Sequence, residues 1–328
     1  MDFNKSNSEL LMGEHSPLLS FVMPAWKGAW LAEAIESILA QTYKNIELIV
    51  VDDCSPEDLR SIVERYDDPR ISYHRNEKNL GGIHLTKQWM HCVGLAKGEY
   101  VVIASDDDVY DIHFAESCMA KAILYPNVNI IRAGVKDVDE EGRVLWTEAT
   151  SQLSGDCISQ AEYTWAYRQG IVSICMGNLV FRRSELLRKG VQAFPRALGS
   201  DIAVSIDLAE QGMALADPGL FAFRHSTVHL SGSLTQLEPK MEAINLFYGW
   251  VMNYAIAPAT DPVGQRLQAE LTVEHWRIKC VYDYLNQVIR YVSPSEVLKY
   301  LARAKYASFW DKCKMLLRYI KYRWIGRK

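Results

Sequence analysis

Short uninterrupted apolar runs alternate with amphipathic stretches from residue 18 to residue 110. Strands buried on both faces read as continuous apolar runs, and amphipathic helices between them supply the crossovers of a parallel sheet, so this region predicts an α/β architecture. LLSFVM (18–23) predicts a first strand; Leu31, Ala34, Ile35, Ile38 and Leu39 then recur at the three-four spacing of one helix face. IELIVVDD (46–53) predicts a second strand. Ser55-Pro56-Glu57-Asp58 predicts a helix start, with a cap, a proline at the first helical position and early negative charge. A third strand is expected near ISYH (71–74), followed by Asn79-Leu80-Gly81-Gly82 and a helix with Leu85, Trp89, Cys92, Val93 and Ala96 on one side, ended by Gly98. EYVVIA (99–104) predicts a fourth strand. Beyond it the pattern predicts a helix over 112–124, a strand over 128–134, a hairpin near Glu141-Gly142 and a mixed segment to about 200. A helix over 201–211, a strand over 220–225 and mostly helix from about 235 follow. No internal repeat is visible.

Composition narrows the class. The 328 residues are 49% hydrophobic and 23% charged, the balance of an ordinary globular protein large enough for a sizeable core. Seven irregularly spaced cysteines without a C-x-x-C pair argue against a disulfide framework or a structural zinc site and suit a reducing cytosol. Residues 1–16 are polar and lack a secretory core, and the uncharged stretch 243–260 is broken by Asn245, Gly249, Asn253 and Pro258, so neither export nor a membrane span is expected. Charge is unevenly placed: residues 301–328 carry a net +8, which leaves −12 to the preceding 300.

The fourth strand delivers the chain into Ser105-Asp106-Asp107-Asp108, placing three carboxylates at the carboxyl end of a strand, where open α/β sheets bind ligands. Mutual repulsion makes such a cluster costly unless a cation shares it, and carboxylate oxygens suit Mn²⁺ or Mg²⁺ completed by water and a diphosphate. A solvated loop or a cap for the next helix is the plain alternative. Asp52-Asp53 also ends a strand, which in a parallel arrangement puts it on the same rim; it either accepts hydrogen bonds from a base or ribose, or steadies the next helix start. Asp201, ahead of IAVSIDLAEQ, can cap that helix or act as a base.

The ordered succession FVMPAWKGAWLAEAIESILAQTYKNIELIVVDDCSPED, EKNLGG, AKGEYVVIASDDDVYD and GSDIAVSIDLAEQG resembles family 2 glycosyltransferases of the GT-A fold over about residues 17–230. The resemblance implies a Rossmann-like mixed sheet flanked by helices, a nucleotide pocket lined by Pro24, Ala25 and Trp26, and base contact from Asp53. It matches 105–108 to the family's D-x-D element, with Asp106 beside the nucleotide and Asp107 and Asp108 toward the metal. Ser105 stands where the first Asp is often found, and Lys27 where a polar residue is usual. It further implies Asp201 as catalytic base, Arg224, His225 and His229 as candidate diphosphate or metal contacts, and Gly177 and Asn178 as candidate acceptor contacts. The expected reaction is metal-dependent, inverting transfer from a nucleoside diphosphate sugar, UDP-sugar favoured, to a glycan or lipid-linked acceptor in surface polysaccharide synthesis, with no nucleic acid involved. Rivals are a sugar-phosphate nucleotidyltransferase, disfavoured by the single glycine in PAWKGAW, a dehydrogenase, disfavoured by the lack of G-x-G-x-x-G, and a silent sugar-nucleotide-binding scaffold.

The expected organisation is a polar leader (1–16), a catalytic domain (17–232) with a nucleotide-sugar half to about 110 and an acceptor half beyond, and a helical C-terminal extension (233–328). In the tail, Phe309, Trp310, Cys313, Leu316, Leu317, Ile320 and Trp324 fall near one helical face, with Lys312, Arg318, Lys321 and Arg323 elsewhere. Such a helix suits an anionic membrane surface at the cytoplasmic side; packing on its own domain or on the partner of a homodimer is the alternative.

Overall fold

The structure, a computed structural model, describes residues 16–148, 152–216, 219–225 and 237–325. Its first part runs β1 (Leu19–Ala25), α1 (Leu31–Leu39), β2 (Ile46–Asp52), α2 (Leu59–Val63), β3 (Ile71–Arg75), α3 (Gly81–Leu95) and β4 (Tyr100–Ile103). Next come β5 (Val109–Tyr110), α4 (Phe114–Leu124), β6 (Ile130–Arg132), β7 (Val135–Val138), β8 (Val144–Thr147), β9 (Cys157–Ile158), α5 (Gln160–Gln169) and β10 (Leu179–Arg182). Then follow α6 (Arg183–Lys189), α7 (Ser200–Leu208), β11 (Met213–Leu215) and β12 (Phe221–Arg224). The last part is helical: α8 (Leu237–Asn253), α9 (Pro262–Gln268), α10 (Val273–Gln287), α11 (Val297–Ala302) and α12 (Phe309–Ile325).

Eight strands form one mixed sheet in the order β3-β2-β1-β4-β10-β6-β11-β9. The first four are mutually parallel, as the apolar runs predict, and β10 enters antiparallel between β4 and β6. Both faces are covered. Phe21, Met23, Leu48, Val50 and Val102 pack with α1 and α4 on one side, and Val22, Ile49, Val51, Val101 and Ile103 pack with α3 and the C-terminal helices on the other.

Two expectations shift. The helix expected from Ser55-Pro56 begins later, at Leu59, with Asp58 as its cap accepting from the Ser61 amide at 3.2 Å. Ser55 is held elsewhere: its amide donates to Asp52 Oδ1 at 2.7 Å and its hydroxyl to the Trp26 carbonyl at 2.7 Å. The strand expected over 128–134 is β6 alone; past Ala133-Gly134 the chain joins a second sheet of order β5-β12-β7-β8. The hairpin at Glu141-Gly142 is that sheet's β7–β8 turn, with Gly142 at φ +79°.

Candidate functional site

Because β1, β2 and β4 run parallel and in register, Ala25 opposite Asp52 and Val22 opposite Ile103, their carboxyl ends share one rim. A cavity of about 600 Å³ opens there, lined among others by Pro24, Ala25, Trp26, Asp53, Asp106, Asp107, Asp108 and Asp201. The acidic strand ends thus converge as the parallel arrangement requires.

At one end, the Asp53 carboxylate accepts from Asn76 Nδ2 at 2.7 Å, the Leu80 amide at 2.8 Å and the Gly81 amide at 2.6 Å, and so holds the start of α3. A Cβ on Gly81 would lie 2.9 Å from Asp53 Oδ2, which is why the turn carries glycine there. Asp52 is fully buried and structural, accepting from Ser55, from the Tyr73 hydroxyl at 2.5 Å and from Arg75. Its neighbour's plain alternative, steadying a helix start, coexists with a place on the cavity wall.

The three carboxylates after β4 have different environments. Asp106 Oδ2 accepts from the Trp26 and Lys27 amides at 2.6 and 2.8 Å, pinning the loop after β1 to the loop after β4. Burial, with the Asp107 charge adding to it, pushes Asp106 up to about 6. Asp108 Oδ1 accepts from the Arg224 amide at 2.9 Å, and burial followed by the Asp107 charge pushes it up to about 8. Asp107 faces Lys27 Nζ at 3.4 Å. Among the described residues no three His, Cys, Asp or Glu side chains form a metal cage. A hard divalent cation that keeps its waters and takes phosphate oxygens needs only one or two protein carboxylates, and Asp107, whose carboxylate among the described residues pairs with the Lys27 ammonium alone, at 3.4 Å, fits that role. Asp106 and Asp108 are better placed to orient the loop through backbone amides.

Arg224 lines the cavity, yet its guanidinium is committed: Nε donates to the Asp107 carbonyl at 2.8 Å, Nη1 to the Glu140 carbonyl at 2.8 Å and Nη2 to Glu33 Oε2 at 2.7 Å, over the Trp30 ring. It braces the acidic loop from below. His225 pairs with Asp137 at 3.0 Å, and His229 lies outside the described residues.

Asp201 also lines the cavity, in the first turn of α7. The N-cap position expected of it falls on Gly199 at φ +86°, which gives the helix no side-chain cap, and Asp201 Oδ1 accepts from the adjacent Ile202 amide at 2.9 Å. Burial pushes its carboxyl up to about 6. The two candidate acceptor contacts, Gly177 and Asn178, are not among the residues that line the cavity. Ile174, Cys175 and Met176 line the cavity, while Asn178 is buried, donating to the Ala133 carbonyl and accepting from the Cys175 amide. Gly177 packs against Phe221, where a Cβ would meet the ring at 2.5 Å.

Residues 20–190, just over half of the chain, match the family described as Glycosyl transferase family 2. The chain belongs to glycosyl transferase family 2. A protein of Escherichia coli K12 named for colanic acid biosynthesis, the glycosyl transferase WcaA, is 43% identical over 168 residues, 47% of this chain and 59% of WcaA. Glycosyltransferase GlyG of Streptococcus pneumoniae is 31% identical over 140 residues, 42% of this chain and 45% of GlyG. The matches thus span about half the length of these curated relatives. Among solved structures, Staphylococcus aureus TarS 1–349 in complex with UDP-GlcNAc superposes with a TM-score of 0.64 at 16% identity, covering 87% of this chain and 79% of that one. The mannosyltransferase PcManGT of Pyrobaculum calidifontis, in complex with GDP-Man and Mn²⁺, superposes with a TM-score of 0.55 at 17% identity, covering 97% and 88%. At these identities the likeness establishes the fold, which is GT-A.

In this family 2 chain the cavity also holds residues that no sequence motif singles out. Gln88, Trp89, Arg196 and Leu198 line it because α3 and the turn before α7 are folded over the rim. Their spacing along the chain carries no signal of that meeting.

Proposed function

We propose that this protein transfers a sugar from a nucleoside diphosphate donor to a hydroxyl of a glycan or glycolipid, with inversion at the anomeric carbon. The observation that carries the reading is the convergence of Asp53, Asp106 to Asp108 and Asp201 on one cavity of about 600 Å³, a size suited to a nucleotide sugar. The nucleoside lies against the Asp53 end and the loop Pro24 to Trp26, and the diphosphate against the acidic loop. Asp107 would hold Mn²⁺ or Mg²⁺, which supplies charge neutralisation to the departing diphosphate. Asp201, poised by burial, accepts the acceptor hydroxyl's proton while the oxygen bonds to the anomeric carbon. The bond from that carbon to the diphosphate oxygen breaks, and the nucleoside diphosphate leaves with the electron pair. Trp89, Met176 and Leu198 give the cavity an apolar part of its wall against which the sugar can pack. Uridine and guanosine diphosphate sugars are the donors to screen, since TarS and PcManGT carry one of each. The resemblance to WcaA supports surface polysaccharide synthesis as the setting.

Donor hydrolysis and transfer with UDP- and GDP-sugars, with and without Mn²⁺, test the reading. Turnover of neither donor class, or turnover by Asp201→Asn equal to wild type, removes it.

The membrane surface belongs to the same proposal. Among the described residues no helix is long and apolar enough to cross a membrane. In α12, Met315 and Tyr319 are buried against the body, whereas Phe309, Trp310, Leu317 and Ile320 are 72, 71, 67 and 46% exposed. Helical geometry sets these four opposite the docked pair, with Lys314, Lys321 and Arg318 along one edge, all exposed. An apolar face edged by cations fits an anionic lipid surface. Co-sedimentation with vesicles containing anionic lipid should fall at least fivefold in Trp310→Ser/Leu317→Ser; equal binding by that variant, or no wild-type binding, rejects membrane docking.

A further inference from the structure

Among the described residues, three that are not glycine have left-handed backbone: Cys54 at φ +59°, Arg196 at φ +57° and Ala197 at φ +57°. L-residues avoid this region, and where it persists the surrounding fold over-determines it, commonly at functional sites. Two of the three, Arg196 and Ala197, line the cavity, and Cys54 follows Asp53, which lines it too. The turn is anchored from behind. Phe194 packs edge-on against Phe247 with centroids 6.0 Å apart, and Gly199, at φ +86°, approaches the same ring so closely that a Cβ would stand 3.2 Å from it. Between these anchors the two strained residues turn Arg196 toward the cavity.

Among the described residues, the cations that line the cavity are Lys27, Arg196 and Arg224. Lys27 faces Asp107, and the Arg224 guanidinium is spent on three carbonyls and Glu33. Arg196 is different. Its Nη1 donates to the Gly82 carbonyl at 3.5 Å, a long bond that tethers the guanidinium across from the turn before α7 to the start of α3. The remaining N–H groups of that planar fork suit an oxyanion with two oxygens to offer.

We propose that Arg196 contacts the phosphoryl oxygens of the bound nucleoside diphosphate from the turn before α7, where it lines the same cavity as Asp107 and Asp201. The inference rests on the donor reading above and adds to it a protein cation held by a strained turn. Donor binding exchanges the long bond to Gly82 for charge-assisted bonds to phosphate. An acidic sugar on the acceptor could engage the same fork, and the nucleotide series separates the two sources because it contains no acceptor.

The test is calorimetry on the full chain with Mn²⁺, using UDP and GDP as probes against wild type, Arg196→Gln and Arg196→Lys, with uridine and guanosine followed by ligand-observed NMR. The expected result is at least a tenfold loss of diphosphate affinity in Arg196→Gln, a smaller loss in Arg196→Lys, and nucleoside binding within twofold of wild type. Diphosphate affinity in Arg196→Gln within twofold of wild type overturns the assignment, as does an equal loss for nucleoside and diphosphate. If the wild type binds neither diphosphate, the donor reading itself fails and the assignment falls with it. Should Arg196→Gln not fold, Arg196→Lys against wild type keeps the test, since loss of fork geometry alone should weaken the diphosphate and spare the nucleoside.

Discussion

A carboxylate placed where water is scarce holds its proton longer, and at Asp201 this sets both reactivity and stability. Its carboxyl rises from 3.8 to about 6 through burial. The folded state therefore binds a proton that the unfolded chain releases between about pH 4 and pH 6, so this residue's contribution to stability falls as pH rises through that window. Above it, the ionised carboxylate is a standing cost and a competent base. Asp201→Asn should lower the transfer rate by about 10²–10⁴-fold while raising the unfolding midpoint at pH 8; a lower midpoint with unchanged turnover would contradict the base role. In the wild type, kcat should decline below an apparent pKa near 6, measured under saturating donor and acceptor. At Gly81 the constraint is steric. A Cβ 2.9 Å from Asp53 Oδ2 must displace the carboxylate that three donors hold, so Gly81→Ala should cost about 1–3 kcal/mol in chemical denaturation. Nucleotide affinity should fall with it.

Among the elements, α12 separates what packs from what faces outward. Met315 and Tyr319 fill the core, and the Tyr319 hydroxyl donates to the Val292 carbonyl at 3.0 Å. Met315→Ala should cost about 2–5 kcal/mol, as buried large-to-small substitutions do, while Leu317→Ser on the outward face should stay within about 0.5 kcal/mol. Thermal unfolding of the two variants side by side checks the assignment of faces; similar losses would contradict it. The same logic explains α2. Its apolar residues Leu59 and Val63 are buried as a pair, but the local start signal at Ser55-Pro56 yields to hydrogen bonds made with β1 and β2. Propensity at a helix terminus is worth about 1 kcal/mol, less than the bonds that fix the site loop.

Across the whole molecule, one buried ion pair links the sheet to the cavity wall. Arg132 on β6 and Glu148 beyond β8 are both buried and paired, and each also binds Ser173 of the segment leading to Ile174 and Cys175. Removing one partner leaves a charge without water or a counterion, so Glu148→Ala should cost about 3–5 kcal/mol. Its effect should reach the cavity as weaker donor binding, read by titration below the unfolding temperature; unaltered stability would show that the pair contributes nothing.

The parallel half of the sheet and the acidic rim are legible in the chain before any tertiary contact is known. Runs such as IELIVVDD are apolar on both faces, and side-chain alternation along a strand leaves few ways to bury them except between helix layers. The position of Asp53 and Asp106 to Asp108 after such runs then follows from chain direction. The tertiary structure alone decided how each acidic residue is used. Asp106 accepts a backbone amide from a loop 79 residues distant and Asp108 one from the end of β12, 116 residues away, and Arg224 turns to Glu33, 191 residues away. It also decided that Arg196 meets Gly82, 114 residues apart, through a turn whose left-handed residues no local preference selects. Periodicity reports which face of an element seeks burial; partners brought together from distant segments are set by how those faces pack.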